Sequence, residues 1–177
     1  MLCHQIIAKL EADNSRLAKE AIIQEHADNT ELFEGFELAL SPYITFGVKK
    51  VPKHSGPDGQ GLPWEAFKEL ASLLHTRQLT GDDAKSAIEL ALSASTGAQW
   101  NDWYRRILIK DLRCGVSEKT VNKIKKGAVP VFECMLAHDG ANHEKKINGV
   151  RLIEPKLDGV RCITIVDYEA RTVVQYT

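Results

Sequence analysis

Glu154-Pro155-Lys156-Leu157-Asp158-Gly159-Val160-Arg161 is the stretch on which the fold assignment turns. Leading into Lys156, residues 151–155 form a run of mixed apolar and polar side chains that reads as a strand. Asp158-Gly159 is a residue pair favoured in tight hairpin turns, and Val160 to Val166 predicts a second strand. Lys156 falls at the junction of strand and turn, where a lysine can be fixed at the floor of a pocket. The competing interpretation is a surface lysine ahead of a hairpin.

Working outward, 177 residues can build one good core, or one domain and part of another. With 44% apolar and 27% charged residues the composition is that of a soluble globular protein. The formal net charge of −1 hides a division along the chain. Residues 1–40 carry three basic and eight acidic side chains, whereas residues 100–126 carry eight basic and three acidic. A polyanion-binding surface is therefore expected on the second segment and not on the first. No apolar run approaches the ~18 residues of a membrane span and no signal peptide opens the chain, so a cytoplasmic location without membrane contact is expected. Cys3, Cys114, Cys134 and Cys162 share no Cys-x-x-Cys spacing, which argues against a zinc ribbon or redox pair. Cys134, His138 and His143 are loosely spaced like metal ligands, but ordinary thiol and loop roles fit them better, and the metal ligands stay unknown.

Before the Lys156 stretch the chain reads as helical. Leu2, Ile6, Leu10, Leu17, Ala21 and Ile22 recur at helical spacing, predicting one helix or two over residues 2–26. Asn29 or Thr30 can cap the next, which buries Leu32, Phe33, Phe36 and Leu40 and stops at Ser41-Pro42. Residues 43–62 are rich in glycine and proline and predict a mobile loop carrying the cations Lys49, Lys50 and Lys53. Pro63 suits the first turn of a helix through Leu74. Thr80 is placed to cap a helix with Asp82 and Asp83 at its positive end. Trp100, Trp103, Tyr104, Ile107 and Leu108 mark a further helix, with Arg105, Arg106 and Lys110 expected on its open face.

That helix is expected to run to Gly115 through Lys110-Asp111-Leu112-Arg113-Cys114-Gly115-Val116-Ser117. Ser117 would cap a short helix bearing Lys119, Lys123, Lys125 and Lys126, with Val121 and Ile124 inward. Two adjacent basic helices with glycine at the corner suit contact with a phosphate backbone, against the default of a solvated charged face. The candidate DNA contacts are thus Lys49, Lys50, Lys53, Arg105, Arg106, Lys110, Arg113, Gly115, Lys119, Lys123, Lys125 and Lys126. Past Gly127 the texture turns to short extended segments, and Arg171 to Tyr176 can pair with Val160 to Val166 through a turn at Asp167 to Ala170. The predicted division is an all-helical domain over 1–130 and a β-rich segment over 131–177.

Three passages together carry a family resemblance. Arg77-Gln78-Leu79-Thr80-Gly81, then Arg105-Arg106 with the Lys110–Ser117 segment, then Lys-x-Asp-Gly-x-Arg at 156–161, resemble the ATP-dependent DNA ligases of the T-even bacteriophage type. The last motif is shared by all covalent nucleotidyltransferases; the first two separate DNA ligases from capping enzymes and most RNA ligases. The resemblance implies a mainly α N-terminal DNA-binding domain followed by the start of an α+β nucleotidyltransferase (adenylation) domain. It implies that Lys156 takes AMP from ATP, that Glu154 and Leu157 border the nucleotide, and that Arg161 contacts its ribose or phosphate side. Such a lysine must attack as a neutral amine. With a free pKa near ~10.4, neutrality at pH 7 costs ~4.6 kcal/mol, to be supplied by burial and nearby positive charge.

ATP and Mg²⁺ are the cofactors so implied, and nicked double-stranded DNA the partner of a monomeric protein, in the host cytoplasm if phage-encoded. Strand sealing in replication, repair or recombination would follow. The family's further acidic and lysine motifs are not found before Thr177, so this polypeptide is expected to bind DNA but not to seal nicks alone. The alternatives are an RNA-directed nucleotidyltransferase and a non-catalytic DNA-binding module.

Overall fold

A computed structural model describes residues 1–131, 149–150, 159 and 162–176. The described chain divides into two units, residues 1–131 and the remainder. The first is helical. Its elements are α1 (Cys3–Ala12), α2 (Arg16–Glu25), α3 (Thr30–Leu40), α4 (Trp64–His75), α5 (Gly81–Ala94), α6 (Gly97–Gln99), a π-helical turn (Trp100–Tyr104), α7 (Arg105–Leu108) and α8 (Glu118–Ile124).

The helical periodicity at the N-terminus resolves into two helices because Asp13-Asn14-Ser15 prefers caps and turns to helix interior. The Asp13 carboxylate accepts from the Ser15 amide at 2.7 Å, and Ser15 Oγ in turn caps α2 by accepting from Ala18. Asn29, one of the two expected caps, accepts from the Leu32 amide at 3.0 Å. Behind these caps Ile6, Ile7, Leu10, Ile23, Leu32 and Phe36 are fully buried.

The core centres on aromatic rings. Phe67 of α4 and Tyr104 stack with centroids 4.1 Å apart, and Trp64 lies against Trp103 at 6.1 Å. Such pairs add about 0.5–1.5 kcal/mol each beyond the area they bury. Both indoles find acceptors: Trp103 Nε1 donates to Glu31 at 3.0 Å and Trp64 Nε1 to Glu34 at 2.5 Å. The π-helical turn is where the regular helix expected around Trp100 departs from α geometry. The wider turn leaves Trp100, Trp103, Tyr104, Ile107 and Leu108 all buried.

The loop 43–62, expected to be mobile, is stapled along the Gly97–Leu108 run. Trp100 Nε1 donates to Pro52 O, and Asn101 pairs both ways with the His54 backbone at 2.9 Å. Gln99 does the same with Leu62 at 2.9 and 2.8 Å. Gly59 and Gly61 donate to the last carbonyls of α5 and its cap. Composition read this segment as loop, which it is; long-range side chains hold it.

Two expectations are corrected. The helix expected to reach Gly115 ends at Leu108, because Lys110 adopts a left-handed conformation (φ 59°) that an α-helix cannot continue through. The caps Thr80 and Ser117 are in cap position, but neither side chain bonds an amide; Ser117 Oγ meets Thr120 Oγ1 instead.

In the second unit, β1 (Ile163–Asp167) and β2 (Thr172–Tyr176) pair antiparallel, with Ile165 opposite Val174. The Asp167 carboxylate accepts from the Glu169 and Ala170 amides, both at 2.9 Å, and closes the predicted turn. The described first strand begins three residues later than expected. Val173 stays 65% exposed, so this hairpin buries little apolar surface by itself, and two strands alone are marginal.

Candidate nucleic-acid interface

Glu154, Lys156, Leu157 and Arg161 lie outside the described residues, as do Cys134, His138 and His143. The basic set proposed for DNA lies within them, and the structure separates it into two kinds of side chain.

Arg105, Arg106 and Lys110, expected on an open helix face, are turned to internal work. Arg106 is only 11% exposed and donates to Glu11 at 2.7 Å, to Asp102 at 3.0 Å and to Leu112 O at 2.9 Å. One guanidinium thereby joins α1, the π-helical turn and the segment after α7. Arg105 Nε donates to Val51 O at 3.0 Å and anchors the stapled loop. Lys110 Nζ donates to Leu38 O at 3.0 Å and Ser41 O at 2.6 Å, closing the carbonyl end of α3. Burial pushes its ammonium down to about 8. The sequence signal that misled was charge alone: five donors and a fixed fork suit arginine to internal carbonyls as well as to phosphates.

The remaining members surround α8 and the turn before it. Arg113 and Gly115 are also left-handed, at φ 55° and 64°, so three such residues bend the chain sharply between α7 and α8. The inner side of this bend is held by Lys19, itself buried, whose Nζ donates to Cys114 O. A Cβ at Gly115 would meet that Nζ at 2.6 Å, so a side chain here would strain the backbone and displace the lysine end from its place. Arg113 stays half-exposed beside Asp111 at 3.4 Å. Lys123 pairs with Glu20, which Arg16 also reaches at 2.9 Å. Lys123 above all, then Arg16, hold the Glu20 carboxyl below its ordinary range. Lys125 lies 4.7 Å above the Phe33 ring. Lys119 and Lys126 are exposed and have no side-chain partner among the described residues. Lys19 and Glu20 were not singled out in the sequence. Their positions on the α2 face next to Ile23 were the available signal.

Lys49 and Lys50 line a second feature, a cleft of about 330 Å³ between the loop 46–50 and the stretch 77–85. Arg77, Thr80, Gly81 and Lys85 complete its polar lining, over Phe46, Val48, Leu79 and Ala84. Lys53 is exposed nearby in sequence but does not line it. Arg77 ends α4 in the left-handed region (φ 62°), at a position where glycine would be free of the ~1–2 kcal/mol that an L side chain incurs. Its guanidinium lies against Gly47, where a Cβ would stand 1.7 Å from Nη1. Among the described residues it has no carboxylate partner.

No group of three or more His, Cys, Asp and Glu side chains is gathered for a metal ion among the described residues. None of their helices is long and apolar enough to cross a membrane.

No protein-family model matches the chain. The DNA ligases of Enterobacteria phages T4 and T6 are each 29% identical to it over 175 residues, covering 92% of this chain and 34% of the phage proteins. Two solved structures titled "Pmar-Lig_Pre." and "Pmar-Lig_PreS3" superpose on the whole chain with TM-scores of 0.82, at 48% and 49% identity, over 42% of their own length. The chain thus spans about a third of the curated relatives it matches. Over that shared length, and as its motifs led one to expect, its sequence is similar to the DNA ligases of phages T4 and T6.

Proposed function

We propose that the chain acts in ATP-dependent DNA ligation, for strand sealing in replication, repair or recombination. Its helical unit grips duplex DNA at a nick, and Lys156 carries AMP between ATP and the broken strand. The observation that carries this reading is the similarity to the phage ligases across 92% of the chain. The exposed cations Arg113, Lys119, Lys123, Lys125 and Lys126 support backbone contact around α8. Arg105, Arg106, Lys110 and Gly115 then shape and hold that surface.

In this reaction Lys156 Nζ, as the neutral amine, bonds to the α-phosphorus of ATP while the bond to the β-phosphate oxygen breaks and pyrophosphate leaves. The resulting phosphoramidate gives its AMP to the 5′-phosphate at the nick, breaking the P–N bond and returning the amine. The 3′-hydroxyl then attacks that phosphate, AMP departs, and the strand is joined. Arg161 would hold the ribose or phosphate side of the nucleotide, and Glu154 and Leu157 would border it. Mg²⁺ would accompany the ATP phosphates and screen their charge; among the described residues no group of His, Cys, Asp and Glu side chains is gathered to hold it.

Two measurements test this. Anisotropy with a labelled nicked duplex and the 177-residue chain should show affinity falling steeply with salt and indifferent to sequence. Mass spectrometry after incubation with ATP, on a longer polypeptide that also carries the family's further acidic and lysine motifs, should find a nucleoside monophosphate on Lys156 and none on Lys156→Ala. A preference for RNA ends over nicked DNA would favour an RNA-directed enzyme. DNA binding without the adduct would favour a non-catalytic binding module.

A further inference from the structure

Arg77-Gln78-Leu79-Thr80-Gly81 has so far no part in the function, yet it forms one wall of the cleft whose other wall is the loop 46–50. Every charged residue lining this cleft is cationic: Lys49, Lys50, Arg77 and Lys85. Lys85 is neutralised by Asp82 at 2.7 Å, and the acidic first turn of α5 makes the helix start a poor anion site in itself. Lys49, Lys50 and Arg77 have no carboxylate partner among the described residues. Three like charges gathered over one concavity repel one another, and a phosphate oxygen supplies the missing counter-charge. Arginine adds a planar fork of donors suited to two oxygens of one phosphate.

The position of Arg77 is built. Gly47 is left-handed and bare, and the guanidinium occupies the space its side chain would fill. The opposing wall is fixed as well: Phe46 is buried with Lys110 Nζ 6.0 Å from its ring, and His75 Nδ1 lies 3.3 Å from Thr45 O. We infer that this cleft binds a backbone phosphate of the DNA, with Arg77 as the principal contact and Lys49 and Lys50 beside it, separately from the cations of α8. The inference rests on the DNA-binding reading above and adds to it a second point of attachment.

The test compares salt-dependent binding of a labelled nicked duplex to the whole chain and to variants with an unchanged far-ultraviolet circular dichroism spectrum. Arg77→Gln should weaken binding about fivefold at 0.15 M salt and reduce the salt slope by about one, the effect of one lost phosphate contact. Lys49→Gln with Lys50→Gln should act in the same direction. Gly47→Ala keeps the net charge but pushes the guanidinium aside, so it should weaken binding with no change in charge. The α8 double variant Lys119→Gln with Lys126→Gln should combine with Arg77→Gln multiplicatively if the two sites are separate. Normal affinity and slope in the three cleft variants, with the α8 variant weakened, would overturn the cleft site and leave the DNA-binding reading intact. No duplex binding by the unaltered chain would overturn both. Nuclear magnetic resonance titrations with inorganic pyrophosphate and with ATP identify the phosphate source. Saturable shifts at Arg77 with these ligands but not with duplex would overturn the assignment to the DNA backbone.

Discussion

The Arg106 guanidinium and the Glu11 carboxylate meet at 2.7 Å, ninety-five positions apart in the chain. With Asp102 at 3.0 Å on the second nitrogen, the pair ties the first helix to the π-helical turn beneath the bend into α8. A residue that sequence offers as a DNA contact is therefore a brace for the surface that carries the others.

Arg106→Met should lower stability by about 2 kcal/mol, less than a fully buried pair because both carboxylates are half-exposed. Urea denaturation measures it. Folded Arg106→Met should keep the wild-type salt slope for duplex binding. A slope shallower by about one would show that the guanidinium reaches a phosphate after all.

Gly35 presents no side chain to Trp103, and a Cβ there would stand 2.2 Å from Cζ2 of the indole. The ring is held by its bond to Glu31 and its neighbour Trp64, so it has little room to yield. Gly35→Ala should cost about 2–3 kcal/mol despite the better helix propensity of alanine. Thermal unfolding should register a lower midpoint; an unchanged midpoint would mean that the aromatic cluster is looser than its geometry indicates.

Lys110 gives a pH dependence whose sign can be fixed. Burial lowers its ammonium to about 8, below the unfolded value, so between pH 8 and about 10.5 the unfolded chain binds more protons than the folded one. This contribution to stability rises with pH across that window. Cys3, Cys114 and Tyr104, all raised by burial, act in the opposite sense. The clean observable is a difference: from pH 7 to pH 10, Lys110→Met should lose stability relative to wild type. Parallel pH profiles for the two proteins would rule out the depressed lysine.

Periodicity and caps made most of the helical unit legible, since Asn29 and the Ile6, Leu10, Leu32 and Phe36 rows answer to local rules. What was not legible depends on contacts far apart in the chain. The loop 43–62 contains every mark of mobility, and it is held by residues far along the chain, among them Gln99, Trp100, Asn101 and Arg105. The stop at Leu108 depends on a left-handed lysine, a conformation that local rules assign to glycine or asparagine. Charge in residues 100–126 marked a basic region, but which cations face inward is decided by Glu11, the Val51 carbonyl and the carbonyl end of α3.

Glu20 offers a prediction in the direction of gain. It is buried on α2, neutralises Lys123 of α8, and has Arg16 as its other partner. A phosphate approaching α8 must compete with this carboxylate for Lys123, and the fixed negative charge also repels it. Glu20→Gln keeps the shape and hydrogen-bonding capacity of the side chain while releasing Lys123 and adding one net positive charge. Duplex affinity should rise about threefold to tenfold at 0.15 M salt, with a steeper salt slope, if Lys123 gains a phosphate. The lowered carboxyl of Glu20 stabilises the fold above its unfolded pKa and loses that contribution as pH falls through its folded one. The variant should accordingly lose less stability than wild type on going from pH 6 to pH 3. Higher affinity together with that flatter acid limb would assign Lys123 to the DNA surface and Glu20 to its restraint. A flatter limb with unchanged affinity would confine the pair to bracing α2 against α8.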